Sequence, residues 1–474
     1  MMSATSKITR FEVRSFGLVP RSGSSPFTKA VAVSCLNTVR IQNRLSDCQS
    51  NFLKTDSIVL NHCESLQASR GYCGSRGLRS CSLFATASLQ SRGLRNSCLA
   101  SHRSGSQYSS ELPVAERKAV HLTSLRKLLE WLGEAEDRAG QDAQALQDQG
   151  PHQEEHSPSP ENLKAELAWM VEDAVAGVHG DDGSFSEAGW RDVVRGLPCP
   201  WREALCGGAV PDTVLATRLS VGELTELWRK RRLEERVPIQ YILGSCHWRD
   251  LVLAVGPGCL IPRPETEQLI DLAEAAIASD PGLASGPWAD LGTGSGALAV
   301  SLAQILLNKA SDRPAEVWAV DASPEAARWA NVNVIRHGLQ DAVRVAVGKW
   351  GEPLAPVAGE LAGILSNPPY IPSEKLPTLQ AEVRRHEPRL ALEGGTGDGL
   401  GAIVDVLECA AEALRPGGFL ALETEGGHQA QAIADALNSG FGSCPAVRFA
   451  DVFADAHVRS DYYGVPRFLV CYRA

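Results

Sequence analysis

Two short stretches carry residues whose types and spacing could do chemistry. At Asn367-Pro368-Pro369-Tyr370 a carboxamide, two prolines and an aromatic ring come one serine after the stretch Glu360–Leu365, which reads as a short buried strand. In open α/β sheets ligands bind outside the carboxyl ends of strands. The prolines fix φ, so backbone carbonyls in this stretch are aimed in advance. A plain turn is the alternative, because Asn and Pro also punctuate loops.

The second stretch is "DLGTGSGALAV", which sets Gly292, Thr293, Gly294, Ser295 and Gly296 between a strand and a helix. Glycine there allows close approach of a ligand to the backbone and torsion angles other residues avoid. A helix amino terminus adds outward-facing N–H groups. One strand–helix unit later, "EVWAVD" ends in Asp321, a carboxylate placed to accept from a ribose diol. Gly292, Gly294 and Ala297 satisfy the loose dinucleotide form, but Asp321 lies 29 residues after Gly292. The dinucleotide fingerprint expects about 20. The D-x-G-x-G-x-G form from Asp290 is instead typical of S-adenosylmethionine loops, with the amino-acid part of the ligand on the glycines. A nicotinamide cofactor stays formally allowed.

Other polar candidates are weaker. "GGTGDGLG" (Gly394–Gly401) mimics a phosphate loop without its GK[ST] end and reads as a flexible loop entering a helix. His247, His386, His428 and His457 show no ligand spacing, and no metal site is expected.

These stretches sit in a regular alternation of short apolar strands and amphipathic helices that runs from Trp288 to the end. Such alternation implies a doubly wound, mostly parallel sheet, an α/β fold. Before it, "HWRDLVLAV" alternates like one strand. Helical periodicity begins near Leu122–Leu132 and resumes at "LKAELAWMVEDAV" and "LSVGELTELWRKRRLEERV". Residues 115–240 therefore read as a small helical domain, with 133–161 as an acidic linker short of apolar residues and 241–474 as the sheet domain. The charge run Arg229–Arg232 reads as a solvated face.

Charge divides the 474 residues into two kinds of polypeptide. Residues 1–110 hold 14 basic and 4 acidic residues, a net of +10, and the other 364 hold 32 and 52, a net of −20. The Ser- and Arg-rich, acid-poor first part is the signature of an organelle transit peptide. Without a clear basic amphipathic helix it points to a chloroplast, with a mitochondrion as alternative. Six of the 13 cysteines fall there, and the rest are scattered singly without CxxC, indicating neither zinc site nor disulfide framework. No run of about 18 apolar residues occurs, so no membrane partner is expected. The acidic balance argues against direct nucleic-acid binding. A monomer is expected.

Taken together, "NPPYIP", "PIQYILG", "LIPRPETE", "HEPRLALEGGTGDGL" and "DYYGVPRFLV" resemble the HemK/PrmC family, the peptide chain release factor glutamine N-methyltransferases. The resemblance runs from about residue 120 to the end and is dense from 237 to 425. It implies a class I S-adenosylmethionine-dependent methyltransferase. The reaction would methylate the glutamine amide of a release factor's GGQ loop, with the helical domain recognising that partner. Gly292 to Gly296 would hold the methionine part of S-adenosyl-L-methionine, Asp321 the ribose, and Trp350 the adenine. Lys349 stands where relatives often carry Asp and cannot accept the adenine amino hydrogens, leaving that contact to backbone groups. "IPRPETE" would form a lid, with Arg263 and Glu265 as a candidate pair.

Asn367, Pro368, Pro369 and Tyr370 would act as an amide clamp. A carboxamide nitrogen is a poor nucleophile because its lone pair is delocalised. Asn367 and the Pro368 carbonyl can accept its hydrogens and aim that lone pair, while Tyr370 offers the planar amide a face. An adenine-N6 nucleic-acid methyltransferase is the rival enzyme, since an exocyclic amine suits the same clamp. It would have to flip a base and hold a polyanion. A non-catalytic cofactor-binding assembly factor is the rival outside enzymes.

Overall fold

The computed structural model describes residues 113–148, 157–180, 182–309 and 316–474. The transit segment read at 1–110 lies outside the described residues.

The amino-terminal unit opens with β1 (His121–Ser124) and the helix Leu125–Asp148. That helix runs through the first half of the stretch expected to be a linker. Ala135, Ala139, Ala143 and Leu146 continue the buried stripe begun by Leu125, Leu128 and Leu132. Alanine suffices there because the helix Pro160–Ala174 packs alongside and supplies the bulk through Leu163, Leu167 and Met170. β2 (Val175–His179), β3 (Phe185–Glu187) and β4 (Val214–Thr217) join β1 in an antiparallel sheet of order β1-β4-β2-β3. The unit is therefore mixed rather than all-helical. Its strands are only three to five residues long, too short for alternation to announce them.

A π-helical segment, Leu227–Glu234, follows. Arg232 within it is buried, not solvated as the charge run suggested. It donates to Glu166 at 2.6 Å and to Glu382 at 2.8 Å. The stretch expected as one strand is a hairpin, β5 (Ser245–Trp248) and β6 (Leu251–Ala254), turning at Arg249 with φ +50°.

The sheet domain is built as the alternation implies. β7 (Trp288–Leu291), β8 (Val317–Asp321), β9 (Val343–Val347) and β10 (Leu361–Ser366) are parallel. A short ladder, β11 (Ile371–Pro372) with β12 (Glu393–Gly395), sits beyond β10. β13 (Leu414–Glu423) is parallel to β10, and β15 (Pro466–Arg473) runs antiparallel between β13 and β14 (Phe453–Ser460). The order is β14-β15-β13-β10-β7-β8-β9. The chain winds outward from β7 through β8 and β9, then returns to β10 on the other side of β7. That reversal is the topological switch point, where a crevice opens at the carboxyl ends of β7 and β10. Among the described residues, no helix is long and apolar enough to cross a membrane.

Candidate active site

Both chemical stretches meet at the switch point. The glycine loop leaves β7 and Asn367 leaves β10, around a cavity of about 450 Å³ lined by residues 292–295, Asp321, Trp350, Asn367 and Pro369. Gly292, Gly294 and Gly296 take φ of +76°, +57° and +82°, a region L side chains rarely enter. A Cβ on Gly296 would lie 3.2 Å from the Ala330 Cα, so this glycine also lets the helix Pro324–Arg336 approach.

Two carboxylates shape the loop. Asp290 is buried and accepts from the Thr293 hydroxyl at 2.6 Å and the Ala299 amide at 3.0 Å. Desolvation pushes its pKa up to about 7, against those two donors. Asp321 accepts from the Gly294 amide at 2.9 Å and the Ser323 amide at 2.8 Å. Burial raises its pKa while both amides pull it down. Each Asp321 oxygen keeps a lone pair for a further donor.

Just beyond β9, Trp350 holds φ +47°, strained for a bulky residue and therefore held by its surroundings. Its indole Nε1 donates to Asp405 at 3.2 Å, and its ring lies beside Gly292. The Lys349 ammonium is engaged by the same Asp405 oxygen at 2.9 Å.

Asn367 projects from the carboxyl end of β10. Its Nδ2 donates to the Thr266 hydroxyl at 3.0 Å, which donates to Glu423 at 2.6 Å. Tyr370, expected to offer a face to a planar amide, is instead buried, with its hydroxyl donating to Glu423 at 3.0 Å. Pro369 lines the cavity. The lid residue Arg263 pairs with Glu387 at 2.6 Å, not with Glu265. Glu387 also accepts from the Ile261 amide, so the lid is fastened to the segment after the clamp.

The structure adds residues that the sequence reading did not single out. Asn333 bonds both the amide and the carbonyl of Ala254 and the carbonyl of Ser295, pinning the glycine loop to β6. The loop Gly394–Gly401, expected to be flexible, pairs with β11 at its start. A Cβ on Gly399 would lie 2.3 Å from the Tyr370 carbonyl oxygen, so glycine is what lets this loop brace the clamp.

No family model matches the chain. Curated relatives do. The release factor glutamine methyltransferase of Thermosynechococcus vestitus is 50% identical over 206 residues, 44% of this chain and 67% of the relative. That of Gloeobacter violaceus is 44% identical over 252 residues, 53% of this chain and 79% of its own. The chain belongs to the release factor glutamine methyltransferase family.

Solved structures give fainter likenesses to this methyltransferase. TrmN from Thermus thermophilus is 20% identical, with a TM-score of 0.29 over 44% of this chain and 52% of that one. The O-methyltransferase TomG from Streptomyces achromogenes is 13% identical, with a TM-score of 0.29 over 46% and 83%. Scores of this size carry no argument; strand order and the sequence relatives carry the class I methyltransferase fold.

The cavity of the methyltransferase fits S-adenosylmethionine on its own chemistry. A Cβ built on Gly294 would meet nothing within 4 Å, so the loop offers open backbone. Asp321 supplies a carboxylate for a diol, and the Trp350 ring supplies an apolar surface for a base.

Proposed function

We propose that this methyltransferase methylates the side-chain amide nitrogen of the glutamine in the GGQ loop of a peptide chain release factor. The cofactor is S-adenosylmethionine. When bound it supplies a sulfonium methyl to the amide nitrogen, which sheds one proton. The observation that carries the reading is the meeting of glycine loop, Asp321 and Asn367 around one cavity.

The chain's residues do the following work. Gly292 to Gly296 hold the methionine part, Asp321 the ribose and Trp350 the adenine. The Asn367 side-chain oxygen and the Pro368 carbonyl accept the two amide hydrogens and turn the nitrogen lone pair towards the methyl. Pro368 and Pro369 fix that geometry in advance, so little orientational freedom is left to lose at the transition state. Tyr370 braces the clamp from below.

The test is incubation with labelled methyl donor and candidate release factors, followed by mass mapping of the modified residue. Label on the GGQ glutamine is expected; label elsewhere, or none, overturns the assignment. Asn367→Ala is expected to lower the rate by about 10²–10³, the usual cost of one preorganised polar contact at a reacting centre. Wild-type turnover by a folded Asn367→Ala variant would sink the clamp.

The enzyme's proposed site of action is the chloroplast. Support comes from the composition of residues 1–110 and from relatives in cyanobacteria, Synechocystis among them at 40% identity. Residues 1–110 fused to a fluorescent protein are expected to enter chloroplasts; retention in the cytosol or entry into mitochondria would count against this.

A further inference from the structure

We infer that Thr266 and Glu423 are positioning residues that set which end of the Asn367 carboxamide meets the substrate. The inference rests on the reading that Asn367 accepts hydrogen from a substrate amide.

The two ends of a carboxamide are nearly equal in size and opposite in hydrogen-bond polarity. A half-turn about the last side-chain bond exchanges them with almost no steric consequence. Acting as a clamp, Asn367 must present its oxygen to the substrate; its nitrogen would set donor against donor. Something outside the clamp has to break the symmetry.

The hydrogen-bond chain beneath the clamp does so. Asn367 Nδ2 lies 3.0 Å from the Thr266 hydroxyl, and that hydroxyl lies 2.6 Å from Glu423 Oε2. The Tyr370 hydroxyl occupies the other carboxylate oxygen, Oε1, at 3.0 Å. An ionised carboxylate only accepts. While Glu423 is ionised, the single Thr266 proton is committed to it, and the Thr266 oxygen can only receive from Asn367. That selects the nitrogen as the end facing Thr266 and leaves the oxygen for the cavity. Glu423 is buried behind Thr266, which itself borders the cavity, so water does not offer Glu423 an alternative partner cheaply. Arg467, buried on β15 and itself paired with Asp461 at 2.8 Å, supplies compensating positive charge. Glu423 is not among the residues lining the cavity. A buried anion at that place is costly, and orienting Asn367 is a use for it.

The experiment compares Glu423→Gln, Thr266→Val and Thr266→Ser in the full-length enzyme, with a release factor as substrate. Glutamine at 423 keeps the shape but can turn either its oxygen or its NH2 to Thr266, so the polarity of the chain is no longer enforced. Glu423→Gln and Thr266→Val are each expected to lower kcat by about tenfold to a hundredfold, with KM for the factor little changed. Calorimetric affinity for S-adenosylmethionine and the thermal midpoint of Glu423→Gln should stay near wild type. Thr266→Ser, which restores the hydroxyl, should be about tenfold or more faster than Thr266→Val. Unchanged kcat in Glu423→Gln overturns the inference. So does a joint fall of kcat, donor affinity and thermal midpoint, which would make the chain plain structural support. A wild-type enzyme inert on every factor overturns the functional reading itself; an active wild type beside an equally active Glu423→Gln overturns this inference alone.

Discussion

Glu423 is the residue at which burial, polarity and proton binding meet. Desolvation pushes its carboxyl up to about 7, against the pull of Arg467 and the hydroxyls of Thr266 and Tyr370, with Glu265 adding to the rise. Arg467 comes from β15, Glu265 from the lid, Tyr370 from the clamp and Thr266 from the start of the helix Glu267–Ser279. Protonated, Glu423 can itself donate, so the Thr266 proton is no longer committed and Asn367 is free to turn. Ionised, it enforces the productive orientation. The sign follows: kcat on a release factor should climb as pH rises through about 7 and level off above it, and the Glu423→Gln profile should lose that step. A pH–rate series on both proteins checks it. An identical step in Glu423→Gln would assign the titration to another group, such as Asp290, also pushed up to about 7. Gly292, Gly294, Asp321 and Asn367 were legible in the sequence because each stands at or just beyond the carboxyl end of a strand. Thr266 and Glu423 were not. They stand 157 positions apart, and neither belongs to a pattern that announces a partner at such range.

Among elements, the strands of the large sheet are legible because buried parallel strands are continuous apolar runs, and β7, β8 and β10 are of that kind. The amino-terminal sheet and the second half of the helix Leu125–Asp148 were hidden for opposite reasons. Its strands are too brief, and the buried face of the helix is alanine, which composition counts as weak. One part of the seam between the two units was equally hidden, because it is ionic. Arg232 and Arg236, from the segment after the amino-terminal sheet, both donate to Glu382 on the short helix Ala381–His386. All three are buried. Burial alone would raise the Glu382 carboxyl, but the two guanidinium groups outweigh it and hold it below the usual value. Removing one member of such a group strands the others without water. Glu382→Ala should therefore cost about 3–5 kcal/mol, read as a lowered midpoint in urea unfolding. The exposed pair Arg448–Glu408, at 3.0 Å, is the contrast: Glu408→Ala should change stability by about 1 kcal/mol or less. Equal, small effects of the two substitutions would show that the seam is not held by Glu382.

At the scale of the whole molecule, the amino-terminal unit and the sheet domain share one apolar core. Leu128, Leu163 and Trp228 belong to the same buried cluster as Leu253, Ile270 and Leu302. Removing 115–235 would strip one wall from that core, so substrate selection must be tested on the intact chain. The clamp reads a single amide, and glutamine side chains are abundant on proteins, so discrimination has to come from surfaces beyond the cavity. The amino-terminal sheet offers one. Its registers set Leu122, Ala216 and Gly177 in one row, and Val214, His179 and Phe185 in the next on the same face. On that face Leu122 is 61% and Phe185 53% exposed, apolar surface suited to a folded partner. Binding energy gained there can orient a reacting group far away, so a truncated substrate loses rate as well as affinity. The expected outcome is a kcat/KM for an intact release factor at least about a hundredfold above that for a short GGQ peptide. The double substitution Leu122→Asp, Phe185→Asp should narrow the gap by raising KM for the factor and leaving the peptide unaffected. Steady-state kinetics on the two substrates decide it. Equal kcat/KM for factor and peptide would mean that the clamp and the glycines beside the glutamine suffice. A preserved gap in the double variant would move recognition to another face of the molecule.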